Sequence, residues 1–129
     1  MNKPYSQACE NNKQPILDIL KNAFAASKFV LEIGSGTGQH ASYFGPNLPH
    51  LAWQTSDLVV NHQGINQWLI EANSSNIKAP IVVDLSDTWQ LPESNTPIDG
   101  IYTANTLHIV SWELVIKFFE GISKHLTKD

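Results

Sequence analysis

The stretch FVLEIGSGTGQH, residues 29–40, limits the possible folds more than any other part of the chain. Its first five residues are apolar except for one acid, Glu32, and they are followed by three alternate glycines, Gly34, Gly36 and Gly38. A short apolar run is typical of a buried strand, and alternate glycines allow a sharp turn that a ligand can approach closely. The sequence predicts a strand over Phe29–Ile33, a glycine turn, and a helix from about 37 to 44 whose first N–H groups are free for a ligand.

The rest of the chain switches repeatedly between strand-like and helix-like hydrophobic spacing. This pattern is typical of a parallel sheet with helices packed against it. Further strands are predicted at 51–57, 79–84 and 98–105, and helices at 16–24 (directly after Pro15), at about 63–72 and at about 111–126. Because no stretch has the composition of an interdomain linker, residues 1–129 are interpreted as one domain.

Composition and charge exclude several classes of function. The net charge of -4 gives no reason to expect attraction to nucleic acid or to anionic membranes, which both reward clustered Lys and Arg. The chain lacks an apolar signal segment, and no run approaches the roughly 20 apolar residues that span a bilayer. The sequence therefore predicts a cytoplasmic protein. The single cysteine and the scattered histidines have no metal-ligand spacing, so no metal is expected.

The spacing of the glycines distinguishes between nucleotide ligands. The dinucleotide fingerprint is G-x-G-x-x-G, whereas this chain has G-x-G-x-G and carries Gln39 where that fingerprint requires glycine. A Walker loop is excluded because no G-K-[ST] follows the glycines. Buried Glu32 would repel a pyrophosphate, but an ammonium group, or donors that lock the glycine turn, would stabilise it. An NAD(P)-dependent enzyme is therefore only a weaker alternative.

The sequence VLEIGSGTG resembles motif one of the class I S-adenosylmethionine-dependent methyltransferases, which is an acid, any residue and then G-x-G-x-G. Four segments together are similar to an uncharacterised methyltransferase-like family, domain of unknown function 938: ACENNKQPIL, VLEIGSGTGQHASYF, LPHLAWQTSD and ANTLHIVSWE. The family tends to have arginine where this chain has Asn11, so any role of that arginine is absent here. The resemblance implies a Rossmann-like α/β fold with helices on both faces of a parallel sheet, and S-adenosyl-L-methionine as cofactor.

Cofactor-binding residues are predicted at the ends of the first three strands and on the fourth. Asp57 lies about 20 residues beyond the glycines, where a strand-end acid can accept hydrogen bonds from ribose, although such an acid can also cap a turn. The resemblance implies the ribose role, and it implies that Asp84 and Leu85 contact adenine. Asp84 is preferred to Asp87 because it directly follows the apolar run IVV. The complete predicted set is Glu32, Gly34, Ser35, Gly36, Gly38, Asp57, Leu58, Asp84, Leu85 and Asn105.

The segment ANTLHIVSW follows the fourth strand to the carboxyl edge of the sheet, where open α/β folds bind ligands. Asn105 is predicted to line the cofactor site. His108 is the candidate catalytic residue, since it can accept a proton near neutral pH, and a purely structural histidine is the alternative. His40 is predicted to be neutral because a helix N-terminus disfavours positive charge. The predicted reaction is methyl transfer to an unidentified acceptor, with a small molecule as the default.

The chain ends at HLTKD, where the resemblance implies a turn into a fifth strand. The resemblance implies three further strands, so the sequence is interpreted as a partial domain with strands one to four. Truncation is the simplest explanation, and a natural short form is the alternative. A non-catalytic cofactor-binding or scaffold protein is the alternative function. We expect the edge of strand four, GIYTA, to self-associate, and the isolated chain to catalyse methyl transfer poorly or not at all.

Overall fold

Helices and strands alternate along the chain, as the sequence predicts. A computed structural model of the protein describes residues 3–83 and 96–103. The elements in chain order are α1 (Gln7–Ala23), β1 (Phe29–Ile33), α2 (Gln39–Asn47), β2 (Ala52–Asp57), a 3-10 turn (Val59–Asn61), α3 (His62–Ala72), β3 (Ile77–Val82) and β4 (Gly100–Thr103). The predicted α/β class is confirmed.

The four strands form one parallel sheet in the order β3-β2-β1-β4. Val30 of β1 pairs with Trp53 of β2 on one side and with Gly100 of β4 on the other. The strand order therefore reverses beside β1, and open α/β sheets bind ligands at such a switch point, outside the carboxyl ends of the strands. The glycine loop, residues 34–38, directly follows β1 and lies at this point.

The core lies between one face of the sheet and the helices. Helix α2 contacts both α1 and α3. All five residues of β1 are buried, which explains its nearly continuous apolar sequence. The buried cluster comprises Leu17, Leu20, Val30, Ala41, Phe44, Leu48, Leu51 and Trp53. The helix predicted at about 111–126 lies outside the described residues. The expectation that helices cover both faces of the sheet therefore stays a prediction.

The predicted start of α1 is wrong. The helix begins at Gln7, and the side chain of Ser6 caps it by accepting a 3.3 Å hydrogen bond from the Cys9 N–H group. Pro15 lies inside the helix rather than at its start. The cost of proline in a helix is offset here by tertiary packing, because Leu17 and Leu20 bury their side chains just beyond it.

The other predicted bounds are close to those observed. The bounds of β1 are confirmed, β2 starts one residue later than predicted, and β3 starts two residues earlier. Helix α2 starts later than predicted because Gly38 is still in the turn, and it also ends later, at Asn47. Strand β4 is observed over Gly100–Thr103, and its predicted continuation to 105 lies outside the described residues. Among the described helices, none is long and apolar enough to cross a membrane. Localisation and self-association stay predictions.

Candidate functional site

The three glycines of the glycine loop have different neighbours. Gly34, Gly36 and Gly38 have φ values of 72°, 60° and 93°, which L side chains rarely adopt. A Cβ atom on Gly36 would meet nothing within 4 Å, whereas one on Gly38 would lie 3.0 Å from the Ile65 Cα atom and 3.3 Å from the Trp68 Cβ atom. Gly36 therefore borders open space that a ligand can enter, and Gly38 allows the loop to pack closely against α3.

Main-chain N–H groups of the glycine loop are already bonded within the protein. The observed pairs, donor first, are Ser35 to the Ser56 carbonyl (2.8 Å), Gly36 to Asp57 Oδ2 (2.8 Å), Gly38 to the Ser35 carbonyl (2.9 Å) and Gln39 to Thr37 Oγ1 (3.2 Å). A phosphate site needs such groups to be free. The expectation that the first N–H groups of the predicted helix are free is wrong for Gly38 and Gln39, and the turn before them is preformed by its own bonds.

Asp57 joins the glycine loop to the turn after β2. Besides the Gly36 bond on Oδ2, its Oδ1 atom accepts hydrogen bonds from the Leu58 N–H group at 2.7 Å and from the Asn61 side chain at 2.9 Å. Asp57 therefore caps a turn, which was one of its two predicted roles. A carboxylate has about four acceptor positions, so its oxygens also retain capacity for a ligand hydroxyl. The ribose contact stays a prediction.

Glu32 is 2% exposed at the end of β1. Its Oε1 atom accepts hydrogen bonds from Ser35 Oγ at 2.8 Å and from Trp53 Nε1 at 3.2 Å. Burial raises the pKa of Glu32 to about 7, the bonds from Ser35 and Trp53 oppose the rise, and the Asp57 charge adds to it. Of the two kinds of partner that the sequence allows, protein donors are observed, and one of them, Ser35, belongs to the glycine loop. Contact of Glu32 with a ligand cation stays a prediction.

Ser35 extends this bonding from Glu32 to β2. Its Oγ atom donates to Glu32 and accepts a hydrogen bond from the Ser56 N–H group at 3.0 Å, and Ser56 Oγ donates to the Glu32 carbonyl at 2.5 Å. The ends of β1 and β2 are thereby cross-linked through buried side chains. Such satisfied polar networks fix a single loop geometry, so the acid and the loop act as one rigid unit.

His40, in the first turn of α2, belongs to a buried polar chain that sequence reasoning missed. Its Nε2 atom lies 2.8 Å from Asn12 Oδ1, and its Nδ1 atom lies 3.2 Å from the Tyr102 hydroxyl. Because Asn12 Oδ1 only accepts, Nε2 is assigned the proton and Nδ1 accepts from Tyr102. Burial lowers the pKa of His40, which favours the predicted neutral form, and burial rather than the helix N-terminus is the main cause. In the sequence, the only sign of these contacts was that Asn12 lies beside Lys13 in ACENNKQPIL, one of the four segments similar to the family.

The structure brings together the predicted residues of β1, the glycine loop and β2. Leu58 is 45% exposed directly beside Asp57, and the next two residues, Val59 and Val60, are 71% and 78% exposed. This apolar run at the carboxyl edge was not predicted beyond Leu58. The predicted residues that lie outside the described part of the chain are Asp84, Leu85, Asn105 and His108.

No metal site is found among the described residues: within 3–83 and 96–103, no three His, Cys, Asp or Glu side chains are arranged to hold an ion. The absence of a metal from the protein stays a prediction.

Comparison with known proteins identifies the family. Residues 3–129 match a family described as "Protein of unknown function (DUF938)". The chain belongs to the DUF938 family. The resemblance inferred from the sequence segments is thereby confirmed, and DUF938 covers nearly the whole chain.

The fold of this DUF938 chain is similar to the folds of solved methyltransferases. The S-adenosylmethionine-dependent methyltransferase SibL, in its apo form, aligns with a TM-score of 0.76 at 16% identity over 92% of this chain and 33% of that chain. An O-methyltransferase family protein from Burkholderia thailandensis aligns with a TM-score of 0.72 at 15% identity over 94% and 36% of the two chains. At these identities the likeness shows the fold, which is the predicted Rossmann-like class I methyltransferase fold.

A third similar structure has a ligand bound. It is S-adenosylmethionine-bound CalS10, an amino pentose methyltransferase from Micromonospora echinaspora, with a TM-score of 0.65 and 17% identity over 98% of this chain and 55% of that chain. The DUF938 chain thus spans from about a third to a little over half of the length of these three proteins.

Proposed function

We propose that the chain binds S-adenosyl-L-methionine and provides the cofactor site of a methyltransferase that acts on an unidentified acceptor. The observation that carries the proposal is the bond between the Asp57 carboxylate and the Gly36 N–H group. In a phosphate-binding loop, such a donor faces an anion. Here a protein carboxylate takes that donor, and buried Glu32 adds a second acidic group close to the loop. Both acids disfavour a pyrophosphate.

The chemistry of S-adenosylmethionine fits the same residues. The cofactor has no phosphate, carries positive charge on its sulfonium and ammonium groups, and has a ribose whose hydroxyls can donate to a carboxylate. Asp57 would accept from the ribose, the exposed Leu58 side chain would contact the adenine, and Glu32 would stabilise the positive charge. The open space at Gly36 leaves room for the ligand next to the main chain. The similar fold of CalS10, which has S-adenosylmethionine bound, supports this assignment.

The chain's own residues are proposed to contribute positioning rather than covalent chemistry. When bound, the cofactor supplies a methyl group that the sulfonium already activates, and S-adenosylhomocysteine remains after transfer. The rigid loop held by Ser35 and Asp57 orients the ligand, and orientation alone lowers barriers by several kcal/mol in order of magnitude. Asn105 is proposed to line the cofactor site, and His108 is proposed at the acceptor side. His108 would take the proton that an amine or hydroxyl acceptor loses, whereas a thiolate needs no base.

Thermal unfolding with added ligand tests this proposal. A ligand that binds only the folded protein raises the unfolding temperature. We expect S-adenosylhomocysteine to raise it and NAD to leave it unchanged at the same concentration. Stabilisation by NAD alone would contradict the proposal. Because little or no methyl transfer is expected from the isolated chain, ligand binding and not turnover is the measured quantity.

A further inference from the structure

The first described residues lie across α3. The Trp68 Nε1 group donates a 2.6 Å hydrogen bond to the Pro4 carbonyl, and the Lys3 ammonium lies 3.6 Å from the centre of the Trp68 ring. A Cβ atom on Gly64 would meet the Pro4 ring at 2.7 Å, so the N-terminal segment and α3 are in close contact there. We call residues 3–6 the N-terminal clamp.

The other end of the N-terminal clamp is held by Gln39. Its side-chain oxygen accepts a hydrogen bond from the Ser6 N–H group at 2.5 Å, and its nitrogen donates to the Ser6 carbonyl at 3.2 Å and to Glu10 Oε2 at 2.7 Å. Gln39 is only 1% exposed. A primary amide is the side chain that matches both the donor and the acceptor of one peptide residue. Glycine, which the dinucleotide fingerprint requires at this position, cannot form this pair.

Both anchors of the N-terminal clamp lie beside the end of the glycine loop. Gln39 directly follows Gly38 in the chain, and a Cβ atom on Gly38 would lie 3.3 Å from the Trp68 Cβ atom. Each anchor is distant in sequence from the clamp residue that it holds, since the Ser6–Gln39 and Pro4–Trp68 bonds span 33 and 64 residues. The end of the glycine loop and the first turn of α2 are therefore held through two separate anchors, Gln39 and Trp68.

We propose that Gln39 and Trp68 are positioning residues, which hold the N-terminal clamp against the glycine loop and thereby fix the part of the site that receives the amino-acid end of the cofactor. This inference rests on the proposed function, in which Glu32 faces the positively charged amino-acid end, and Asp57 and Leu58 face the nucleoside. The nucleoside side is fixed separately by the Asp57 bonds to the glycine loop and to the turn after β2.

Two ligands that differ only at the amino-acid end test the inference. S-Adenosylhomocysteine carries this end, and 5′-deoxy-5′-methylthioadenosine lacks it. We would titrate both into the 129-residue chain and into the variants Gln39→Met and Trp68→Phe, which keep most of the side-chain volume but lose the hydrogen bonds. Gln14→Met is the matched control, because Gln14 is exposed on α1 and its hydrogen bonds are to Asp18 and Tyr43, outside the N-terminal clamp. We expect the dissociation constant for S-adenosylhomocysteine to rise about tenfold in both variants, and that for methylthioadenosine to change less than about twofold.

The difference between the two ligands separates positioning from general destabilisation. Equal weakening of both ligands would overturn the inference, because it would show that Gln39 and Trp68 only support the fold. Unchanged binding of both ligands would overturn it as well. If Gln39→Met does not fold, Trp68→Phe, which keeps an aromatic ring, decides the result. An unaltered chain that binds neither ligand would overturn the proposed function and the inference with it.

Discussion

The carboxylate of Asp57 and the main-chain N–H group of Gly36 are joined by a 2.8 Å hydrogen bond. This bond connects the end of β2 to the loop after β1, and the other oxygen of Asp57 holds Leu58 and Asn61. The Asp57 side chain therefore fixes both the glycine loop after β1 and the turn after β2. A negative charge lies where a phosphate-binding loop would present a free donor, and this distinguishes the site from a dinucleotide site.

Replacing Asp57 by Ala is predicted to weaken S-adenosylhomocysteine binding. The variant loses a charged acceptor for the ribose hydroxyls and also frees the Gly36 N–H group, so we expect a loss of about 1 to 3 kcal/mol in binding free energy. Titration calorimetry measures the change. An unaltered dissociation constant would mean that Asp57 only caps its turn.

A substitution at Gly36 is predicted to abolish ligand binding, whereas one at Gly38 is predicted to lower stability. Gly36→Asn places a side chain in the open space, and Asn tolerates the positive φ, so this variant should fold but lose the cofactor. Gly38→Ala brings a Cβ atom to 3.0 Å from the Ile65 main chain at a φ of 93°, so it should lower the free energy of unfolding by about 1 to 3 kcal/mol. Urea denaturation and ligand titration of both variants check this, and normal binding by Gly36→Asn would refute the ligand position.

Stability is predicted to depend on pH through Glu32. Its pKa is about 7 in the folded protein against an ordinary value of 4.5, so between these values the folded state binds more protons than the unfolded state. The free energy of unfolding therefore falls as pH rises from 4.5 to 7. Glu32→Gln cannot ionise, so it should gain stability relative to the unaltered chain by up to about 3 kcal/mol between pH 5 and pH 8. A difference that does not vary with pH, measured by urea denaturation, would contradict this.

Self-association through β4 is a further prediction. Strand β4 (Gly100–Thr103) is the last strand of the described sheet beyond β1. A strand edge whose N–H and C=O groups are uncovered pairs readily with a second copy. Light scattering coupled to size-exclusion chromatography should show a mass that grows with protein concentration. A constant monomer mass at all concentrations would exclude pairing by this edge.

Local patterns predicted the strand and the loop that carry the site. The apolar run of β1 and the alternate glycines determine a buried strand and a turn at positive φ, because few other residues fit either feature. Asp57 was predicted from its spacing beyond the glycines and from the family resemblance, and Leu58 follows it directly. Strand β1 and the glycines are adjacent in the sequence, and for that reason the predicted bounds of β1 are confirmed without correction.

Contacts between distant residues could not be predicted in the same way. The sequence left open whether Glu32 meets a ligand cation or protein donors, and the answer includes Trp53, which is 21 residues away. The start of α1 was missed because Pro15 resembles a first helical residue, whereas Ser6 is fixed by Gln39, 33 residues further on. The Glu32–Trp53 pair depends on the pairing of β1 with β2, and the Ser6–Gln39 pair on the packing of α1 on α2, and no local pattern specifies either.

The central claim is that this switch point takes a ligand of the S-adenosylmethionine type and not a dinucleotide. Titration calorimetry of one preparation of the 129-residue chain with S-adenosylhomocysteine and with NAD tests it directly. We predict saturable binding of S-adenosylhomocysteine and no measurable heat with NAD. Saturable binding of NAD, with none for S-adenosylhomocysteine, would contradict the account.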